Sequence, residues 1–568
     1  MRILTRVVVM LACACVALAD AANTTTHDVA MHDGVVLKTD VYLPGKAADA
    51  YPAVLVRSPY PRAVVATQSA NLTEKGFAVV VQDARGTGDS GGAFTGFLDD
   101  GWGTNRDGAE TVAWIREQPW CDGNVGTMGG SAAGNTQVLL APVTREVRCQ
   151  IIEVAAYDFY RDLAYPGGVW RPEQSDAWFK MFGEKGEAAR ATLRAHPAYD
   201  ELWVGLNAEV KAGDVAAPAL HIGGWFDIFK DGTLRAFTSR QERGGEGAKG
   251  NQKLIMKWSG HGDYPKDLPL KFPENVFDVK VSKLRDRMLA YWLKGDGEIG
   301  DIPTVQYYVI GDDTRTGAPG MEWRTANRWP PFPPHTKSLY LYGQELQEAP
   351  PENFVTRTYT YDPADPCPTT GGCNLTIPFG PFDQRVLLER KDVLLFTGPA
   401  LEAPVEMTGP VRLRLFVSTD APDTDFCAKL IDIYPKGDDR HILALESIQR
   451  VKYRDGFEKP APPLTRDEVV QIEIDLGSIS WIFDKGHRVA ILVSSSNYPH
   501  FEVNPNNGDD FPTMETMRKA DNSIHMGPKF PSALIVPVRW PDLDTDGDGV
   551  PDEMEWNNGT DIRDVSSK

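Results

Sequence analysis

The sequence NVGTMGGSAAG, residues 124–134, joins a strand-like run to residues 136–140, which are compatible with a helix. A turn this sharp between a strand and a helix forces its central residue into strained backbone dihedral angles, and only small residues fit beside it. Gly129, Ala133 and Gly134 meet that requirement. The pattern therefore predicts that Ser131 exposes its hydroxyl at a helix N-terminus, and the alternative is a glycine-rich turn without chemical function.

Strand-like and helix-like stretches alternate around this turn. Residues 51–57 and 77–82 are short β-branched runs, of the kind that is buried on both faces of a parallel sheet. Apolar residues recur at roughly helical spacing over residues 107–117. This rhythm predicts an α/β fold with a doubly wound sheet. Residues 155–217 carry helix formers and aromatic residues without a strand signal, which predicts a helical cap over the sheet.

Two later strand ends supply the partners that a nucleophilic serine requires. A serine hydroxyl needs a base, and the base needs a carboxylate that orients it. In α/β-hydrolases these residues follow in the order Ser, Asp or Glu, His, each on a loop after a strand. The strand-like runs 218–222 and 254–256 lead to Asp227 and His261. Either residue alone could be an ordinary loop residue, but their order and placement predict a triad with Ser131.

The last third of the chain has a different pattern. Short alternating segments such as 411–417, 469–474 and 489–493 are separated by turn residues. This pattern is typical of a β-sandwich or jelly roll. We therefore predict a catalytic domain over residues 28–310 and an all-β jelly-roll domain over residues 311–540.

The N-terminus has the features of a secretory signal peptide. Two basic residues, an apolar run over residues 7–18 and the sequence Ala19-Asp20-Ala21 predict a signal peptide over residues 1–21 and a secreted or periplasmic protein. Cys13 and Cys15 raise the less favoured alternative of a lipoprotein. No later segment is long and apolar enough to predict a membrane span. The net charge of −20 argues against nucleic acid or an anionic membrane as a partner.

Five cysteines follow the predicted cleavage site, so at least one of them is unpaired. Export permits disulfides. Cys367 and Cys373 flank a short, turn-rich loop, which predicts a disulfide between them, with two independent thiols as the alternative. No cysteine or histidine spacing indicates zinc.

An acidic segment near the C-terminus predicts a structural calcium site within residues 541–563. Twelve residues from Asp544 fit the EF-hand loop, with a glycine at position 6 and a glutamate at position 12. No amphipathic helix precedes the loop, so a single structural calcium repeat is expected, and a solvated acidic tail is the alternative. The predicted ligands are Asp544, Asp546, Asp548, Val550, Asp552 and Glu555.

Several stretches resemble the CocE/NonD group of serine hydrolases, which includes cocaine esterases, α-amino-acid ester hydrolases and glutaryl acylases and is similar to the X-Pro dipeptidyl-peptidases. The resemblance extends in order over roughly residues 28–540. It is carried by residues 57–60, 81–92, 114–126, 223–227, 423–434 and 494–501.

The resemblance implies an α/β-hydrolase core, a helical cap and a jelly-roll domain that helps to close the active site. It also implies that Tyr60 and the backbone N–H of Ala132 form the oxyanion hole. The chain departs from the family in two places. Ala132 stands where the family usually has tyrosine, and the loop before His261 is one residue longer than expected.

The predicted function is that of a secreted serine hydrolase acting on small-molecule ester, amide or short-peptide substrates, without a catalytic cofactor. An X-Pro dipeptidyl-peptidase and a non-catalytic, calcium-dependent glycan-binding protein are the alternatives, and an oligomer is possible. By analogy with the α-amino-acid ester hydrolases of this group, carboxylates of the cap could bind a substrate ammonium, with surface solvation as the simpler interpretation. The candidates are Asp158, Asp162, Glu173 and Asp176. The aromatic residues Tyr157, Phe159, Tyr160 and Trp170 could line an apolar pocket, with packing inside the cap as the alternative.

Overall fold

The computed structural model describes residues 24–45, 48–262, 264–265, 267–333, 335–513, 515–564 and 566. The predicted signal peptide, residues 1–21, lies outside the described residues. Among the helices of the described part, none combines the length and the apolar character that crossing a membrane requires.

A ten-stranded sheet forms the centre of the N-terminal domain, in the order β1-β2-β4-β3-β5-β6-β7-β8-β9-β10. The strands from β4 to β9 run parallel, and antiparallel pairs flank them at both edges. The strands are β1 (Thr24–Ala30), β2 (Val36–Tyr42), β3 (Tyr51–Ser58), β4 (Ala78–Asp83), β5 (Cys121–Gly130), β6 (Val147–Glu153), β7 (Ala219–Phe226), β8 (Gln252–Gly260), β9 (Val305–Val309) and β10 (Glu322–Ala326).

Helices cover both faces of this sheet, which explains why its central strands are continuous apolar runs. All six residues of β4 are buried, as expected for a parallel strand covered on both sides. The predicted doubly wound α/β fold is confirmed. The α-helices are α1 (Arg62–Glu74), α2 (Asp107–Arg116), α3 (Ala132–Leu140), α4 (Ala177–Lys180), α5 (Gly183–Arg194), α6 (Glu201–Val204), α7 (Lys230–Arg243), α8 (Val281–Lys294) and α9 (Asp552–Asn558).

The cap predicted from residues 155–217 is a set of short helical segments between β6 and β7. Its side chains form one apolar cluster with residues of α3 and of the loop that contains Phe97. Besides α4, α5 and α6, the cap contains the π-helical turns Tyr160–Ala164 and Pro172–Asp176 and the 3₁₀ turns Pro166–Gly168 and Ala208–Asp214.

The C-terminal domain is all-β, as predicted. Some of its strands, such as Ala520–Met526, alternate buried and exposed residues, which suits a sheet with one face in the core. Others, such as Asp425–Ile433 and Arg488–Ser494, are buried along nearly their whole length. The order is β13-β20-β15-β21-β11-β12-β14-β19-β16-β17, and β18 pairs with β15. The strands are β11 (Thr336–Tyr342), β12 (Glu345–Gln347), β13 (Val355–Tyr361), β14 (Leu394–Thr397), β15 (Val405–Thr419), β16 (Asp425–Ile433), β17 (His441–Arg450), β18 (Val470–Phe483), β19 (Arg488–Ser494), β20 (Ala520–Met526) and β21 (Ala533–Pro537).

The predicted disulfide between Cys367 and Cys373 is wrong, because both residues are free thiols. The two ends of the loop have different partners. The Cys367 amide donates to Ser496 Oγ at 2.8 Å, and its side chain packs in an apolar cluster of the C-terminal domain. The Sγ of Cys373 lies 3.9 Å from the carbonyl oxygen of Trp225, in the N-terminal domain. Burial raises the pKa of the Cys373 thiol to about 12.

Candidate active site

Ser131 occupies the tight turn between β5 and α3. Its φ of 54° and ψ of −123° place a non-glycine residue in a strained conformation, as expected for a serine presented on a strand-to-helix turn. Small neighbours make the turn possible. A Cβ atom on Gly129 would lie 2.6 Å from the Cβ of Ala133, and one on Gly134 would lie 2.9 Å from the Cβ of Ala155. The sequence therefore folds into this turn because its small residues let α3 approach the sheet closely.

The structure brings the three predicted triad residues into one hydrogen-bonded chain. His261 Nε2 lies 2.9 Å from Ser131 Oγ, and His261 Nδ1 lies 2.6 Å from Asp227 Oδ2. Asp227 is completely buried, and its Oδ1 accepts a 2.7 Å hydrogen bond from the amide of Phe229. This geometry can hold the imidazole in the tautomer that accepts the serine proton.

The ends of neighbouring parallel strands position Asp227 and His261. Asp227 directly follows β7, and His261 directly follows β8. Gly260, the last residue of β8, has no room for a side chain, because a Cβ atom there would lie 2.4 Å from the ring of Phe379. The segment before His261 is part of β8 rather than a loop, and β8 has one more residue than β7 where their register shifts between Gly224 and Phe226. The extra residue is therefore taken up within the sheet, and the imidazole stays in contact with Ser131.

Tyr60 lies just beyond β3, where its hydroxyl accepts a 2.8 Å hydrogen bond from Trp178 Nε1. Because the indole N–H can only donate, the phenol O–H remains available as a donor to another group. Burial raises the pKa of Tyr60, which keeps the phenol protonated. Ala132 is the buried first residue of α3, and the first N–H groups of a helix have no partner within it. Trp178 was not predicted from the sequence, which gives no sign of a contact with Tyr60.

A pocket opens beside Ser131, and its empty space, including the mouth that is open to solvent, is about 330 Å³. The cap, the loop after β7 and the C-terminal domain all contribute to its walls. Most of its side chains are apolar, and its polar members are neutral. The lining residues are Phe97, Ser131, Ala132, Asn135, Leu163, Gln174, Ser175, Trp178, Ile228, Phe229 and Leu375.

The cap carboxylates considered for ammonium binding form other contacts. Asp158 Oδ1 accepts from the amide of Tyr160 at 3.0 Å, and Asp162 Oδ2 accepts from the amide of Tyr157 at 2.8 Å. Asp176 accepts from the Trp170 indole at 3.0 Å. Glu173 accepts from the backbone of the C-terminal domain.

The cap aromatic residues are likewise structural. Tyr157, Phe159, Tyr160 and Trp170 are all buried in the apolar cluster of the cap. They are absent from the lining of the pocket beside Ser131. Packing within the cap, rather than substrate contact, accounts for their positions.

Three of the predicted calcium ligands converge near the C-terminus. Asp544, Asp546 and Asp548 each offer a carboxylate oxygen, and these atoms lie within 4.8 Å of one another. Such an all-oxygen donor set is one that Ca²⁺ accepts. The backbone N–H of Val550 donates to Asp548 Oδ1 at 2.7 Å, which curls the loop around the carboxylates.

The remaining acids of the loop lie at the start of α9. Asp552 Oδ1 accepts from the amide of Thr545 at 2.6 Å, and its Oδ2 lies 2.9 Å from His335 Nε2. Glu555 is buried within α9. In this structure Asp552 therefore braces the loop, whereas its predicted role as a ligand stays a prediction.

Comparisons with known proteins show the family of the chain. The family model of X-Pro dipeptidyl-peptidase (S15 family) matches residues 33–192 and 183–263, and that of the X-Pro dipeptidyl-peptidase C-terminal non-catalytic domain matches residues 298–535. Cocaine esterase from Rhodococcus sp. (strain MB1 Bresler) is 32% identical, over 90% of this chain and 97% of its own length.

Two solved structures share the whole architecture. An aminopeptidase from the marine sediment archaeon Thaumarchaeota archaeon has a TM-score of 0.77 at 24% identity and covers 91% of this chain and 96% of its own. An α-amino acid ester hydrolase has a TM-score of 0.77 at 23% identity and covers 92% of this chain and 98% of its own. At these identities the likeness concerns the fold, and the family follows from the matches along the sequence. The chain belongs to the CocE/NonD family of serine hydrolases, which cleave ester or amide bonds.

Proposed function

We propose that this protein is a secreted esterase that hydrolyses esters of small, uncharged acyl groups through an acyl-enzyme on Ser131. The lining of the pocket beside the serine is the observation that carries the proposal. Its apolar walls suit a hydrocarbon acyl group, and none of its lining residues is a carboxylate that could pair with an ammonium group. An unpaired charge buried there would be costly.

The first half of the reaction forms the acyl-enzyme. Ser131 Oγ attacks the ester carbonyl carbon while His261 Nε2 takes the hydroxyl proton, and Asp227 holds the imidazolium through Nδ1–H. The negative charge on the carbonyl oxygen receives hydrogen bonds from the Tyr60 hydroxyl and the Ala132 N–H. When the carbon–oxygen bond to the leaving group breaks, His261 returns the proton to the departing alcohol.

The second half releases the acid. A water molecule attacks the acyl carbonyl while His261 accepts its proton, and the same oxyanion donors stabilise the new tetrahedral intermediate. Its collapse frees the carboxylic acid and returns the proton to Ser131. Every proton transfer in this proposal uses His261, whose two ring nitrogens lie 2.9 Å from Ser131 Oγ and 2.6 Å from Asp227 Oδ2.

A matched pair of substrates tests the proposed preference for uncharged acyl groups. Methyl phenylacetate and methyl phenylglycinate differ mainly by an ammonium group beside the carbonyl. We expect kcat/KM to be roughly 10-fold or more higher for the phenylacetate, because the pocket cannot pair the charge. Steady-state kinetics at a pH where the amine is protonated measures the ratio.

The same assay separates the alternatives. Faster hydrolysis of the phenylglycinate, or efficient cleavage of Gly-Pro-p-nitroanilide, would show instead an amino-acid ester hydrolase or an X-Pro dipeptidyl-peptidase. Folded protein that is inactive on every ester and anilide would support the glycan-binding alternative. The hydrogen-bonded triad argues against that last outcome.

The acidic loop is the second part of the proposal, in which Asp544, Asp546 and Asp548 bind a structural Ca²⁺ ion. The loop leads into α9, which docks on the connection between the two domains. Trp556 Nε1 donates to the carbonyl of Pro330 at 2.9 Å, and the Arg328 guanidinium lies 4.0 Å from the centre of the Trp556 ring. A bound cation would neutralise the carboxylates and hold α9 on this connection.

Removal of calcium is expected to lower the thermal unfolding temperature by a few degrees, since a ligand that binds only the folded state stabilises it. Differential scanning fluorimetry with excess EGTA, followed by added CaCl₂, measures the shift and its reversal. The double variant Asp544→Asn/Asp546→Asn should not respond to calcium, whereas Asp542→Asn, outside the loop, should respond like the wild type. If neither EGTA nor CaCl₂ changes the unfolding temperature of the wild type, the segment is a solvated acidic loop without a calcium ion.

A further inference from the structure

One wall of the pocket beside Ser131 comes from the C-terminal domain. Leu375 lines the pocket, and it belongs to the segment 373–377, which we call the wall loop. The wall loop has no strand or helix of its own, so its position depends on what it contacts. Cys373 and Asn374 bond to Glu446 and His500 of the C-terminal domain, whereas residues 375–377 bond to the cap.

A single buried carboxylate oxygen of the cap accepts hydrogen bonds from three successive residues of the wall loop. Glu173 Oε1 accepts hydrogen bonds from the amides of Leu375 at 2.9 Å and Ile377 at 3.3 Å. It also accepts from the amide of Thr376 and, at 2.9 Å, from the hydroxyl of that residue. Three successive amides that converge on one anion form a concave anion-binding arrangement. Glu173 is only 5% exposed, so water does not compete for these bonds.

Arg171 holds the start of the same loop. Its Nη2 donates to the carbonyl of Cys373 at 2.9 Å, and its Nη1 donates to the carbonyl of Ile228 at 3.4 Å. Ile228 follows Asp227 in the chain and lines the same pocket. Arg171 is 4% exposed. The wall loop is therefore bonded at Cys373 to a buried cation and at residues 375–377 to a buried anion, Glu173, two residues further along the cap.

We propose that Glu173, assisted by Arg171, is a positioning residue that sets the acyl-chain length the enzyme accepts, by holding Leu375 of the C-terminal domain against the pocket. This inference rests on the proposed function, because it concerns the acyl pocket of Ser131. Glu173 itself does not line the pocket and acts only through the wall loop. Its role therefore differs from direct binding of a substrate ammonium.

The physical reason is the strength and direction of the contacts. Hydrogen bonds to a carboxylate are stronger than those between neutral groups, and buried amides that lose their acceptor are costly. Without Glu173 the wall loop would move to satisfy its amides elsewhere, and Leu375 would leave the pocket wall. A longer acyl chain could then occupy the space.

The test compares p-nitrophenyl octanoate with p-nitrophenyl acetate as the ratio of their kcat/KM values. Leu375→Ala is expected to raise this ratio about 10-fold or more, because a pocket that gains space admits more methylene groups. Glu173→Ala should raise it at least about 3-fold in the same direction. The double variant Leu375→Ala/Glu173→Ala should raise the ratio by less than the product of the two single effects, because both substitutions act on the same wall of the pocket.

Two further variants keep the test decisive. Glu173→Gln retains an oxygen acceptor but loses the charge, so it should shift the ratio less than Glu173→Ala does. Thr376→Val removes one donor to Glu173 Oε1 without removing the carboxylate, and it should shift the ratio slightly in the same direction. This variant replaces Glu173→Ala in the test if Glu173→Ala does not fold. Asp158→Ala is the matched control, because it removes a buried cap carboxylate that bonds to Tyr160 and Asn207 instead.

The outcomes distinguish this inference from the proposed function. A fluorophosphonate should label Ser131 in the wild type and in every folded variant of this series. A folded wild-type protein that is not labelled would contradict the proposed mechanism and would not test the role of Glu173. A ratio that Leu375→Ala changes but neither Glu173→Ala nor Thr376→Val changes would overturn the positioning role. Fully multiplicative effects in the double variant, or an equal shift in Asp158→Ala, would overturn it as well.

Discussion

Replacement of Ser131 by alanine is expected to lower kcat for p-nitrophenyl butyrate by roughly 10⁵-fold to 10⁶-fold, as removal of the nucleophile does in serine hydrolases that use a triad. Its hydroxyl is the only group that His261 can activate for covalent attack at this turn. Residual turnover would come from the oxyanion hole and substrate binding. Steady-state kinetics and circular dichroism of the purified variant measure the loss and the retained fold.

A buried serine outside the site provides the control. Ser239, on α7, donates to the hydroxyl of Tyr157 and lies away from the pocket lining, so Ser239→Ala should keep near wild-type turnover. A Ser131→Ala protein that retains more than about one hundredth of the activity would be incompatible with covalent catalysis by this residue.

Replacement of Tyr60 by phenylalanine is expected to lower kcat by about 10²-fold to 10³-fold, with little change in KM, because an oxyanion donor acts mainly in the transition state. Trp178 donates to the Tyr60 hydroxyl and so leaves the phenol proton free to point elsewhere. Stopped-flow and steady-state kinetics with the same ester separate the acylation rate from KM.

Two variants show whether the hydroxyl acts in catalysis or only in packing. Trp178→Phe keeps an aromatic ring but removes the indole N–H, so it should lower kcat in the wild type and have much less effect when Tyr60 is already phenylalanine. Tyr157→Phe removes another buried phenol hydroxyl and should leave kcat nearly unchanged. Equal effects of Tyr60→Phe and Tyr157→Phe would mean that the Tyr60 hydroxyl has no catalytic role.

The sequence predicted the α/β core and the contact between Ser131, His261 and Asp227 because both depend on local signals. Buried parallel strands are continuous apolar runs, and small residues around Ser131 mark the turn that presents it. Asp227 and His261 were found because each ends such a strand, and parallel strands end at one edge of the sheet. Chain order then related three residues that are far apart in sequence.

Contacts between separate parts of the chain could not be predicted in this way. Trp178 and Glu173 lie in irregular turns of the cap, and their partners are in the β3 loop and the C-terminal domain. No periodicity or spacing encodes such a meeting. The predicted disulfide failed for the same reason, because Cys367 and Cys373 are held by Ser496 and by a segment near Trp225.

The calcium loop illustrates an intermediate case. Its spacing brought Asp544, Asp546 and Asp548 together as the pattern predicts. The spacing of the acidic residues could not predict the contact between Asp552 and His335, which lies at the start of the C-terminal domain. In the structure His335 Nε2 lies 2.9 Å from Asp552 Oδ2.

Labelling with a fluorophosphonate, followed by peptide mass spectrometry, tests the central claim most directly. We expect a single adduct on the peptide that contains residues 129–134, located on Ser131, and greatly reduced labelling when His261 is replaced by alanine. An adduct on a different residue, or folded and active protein that takes up no probe, would contradict the account.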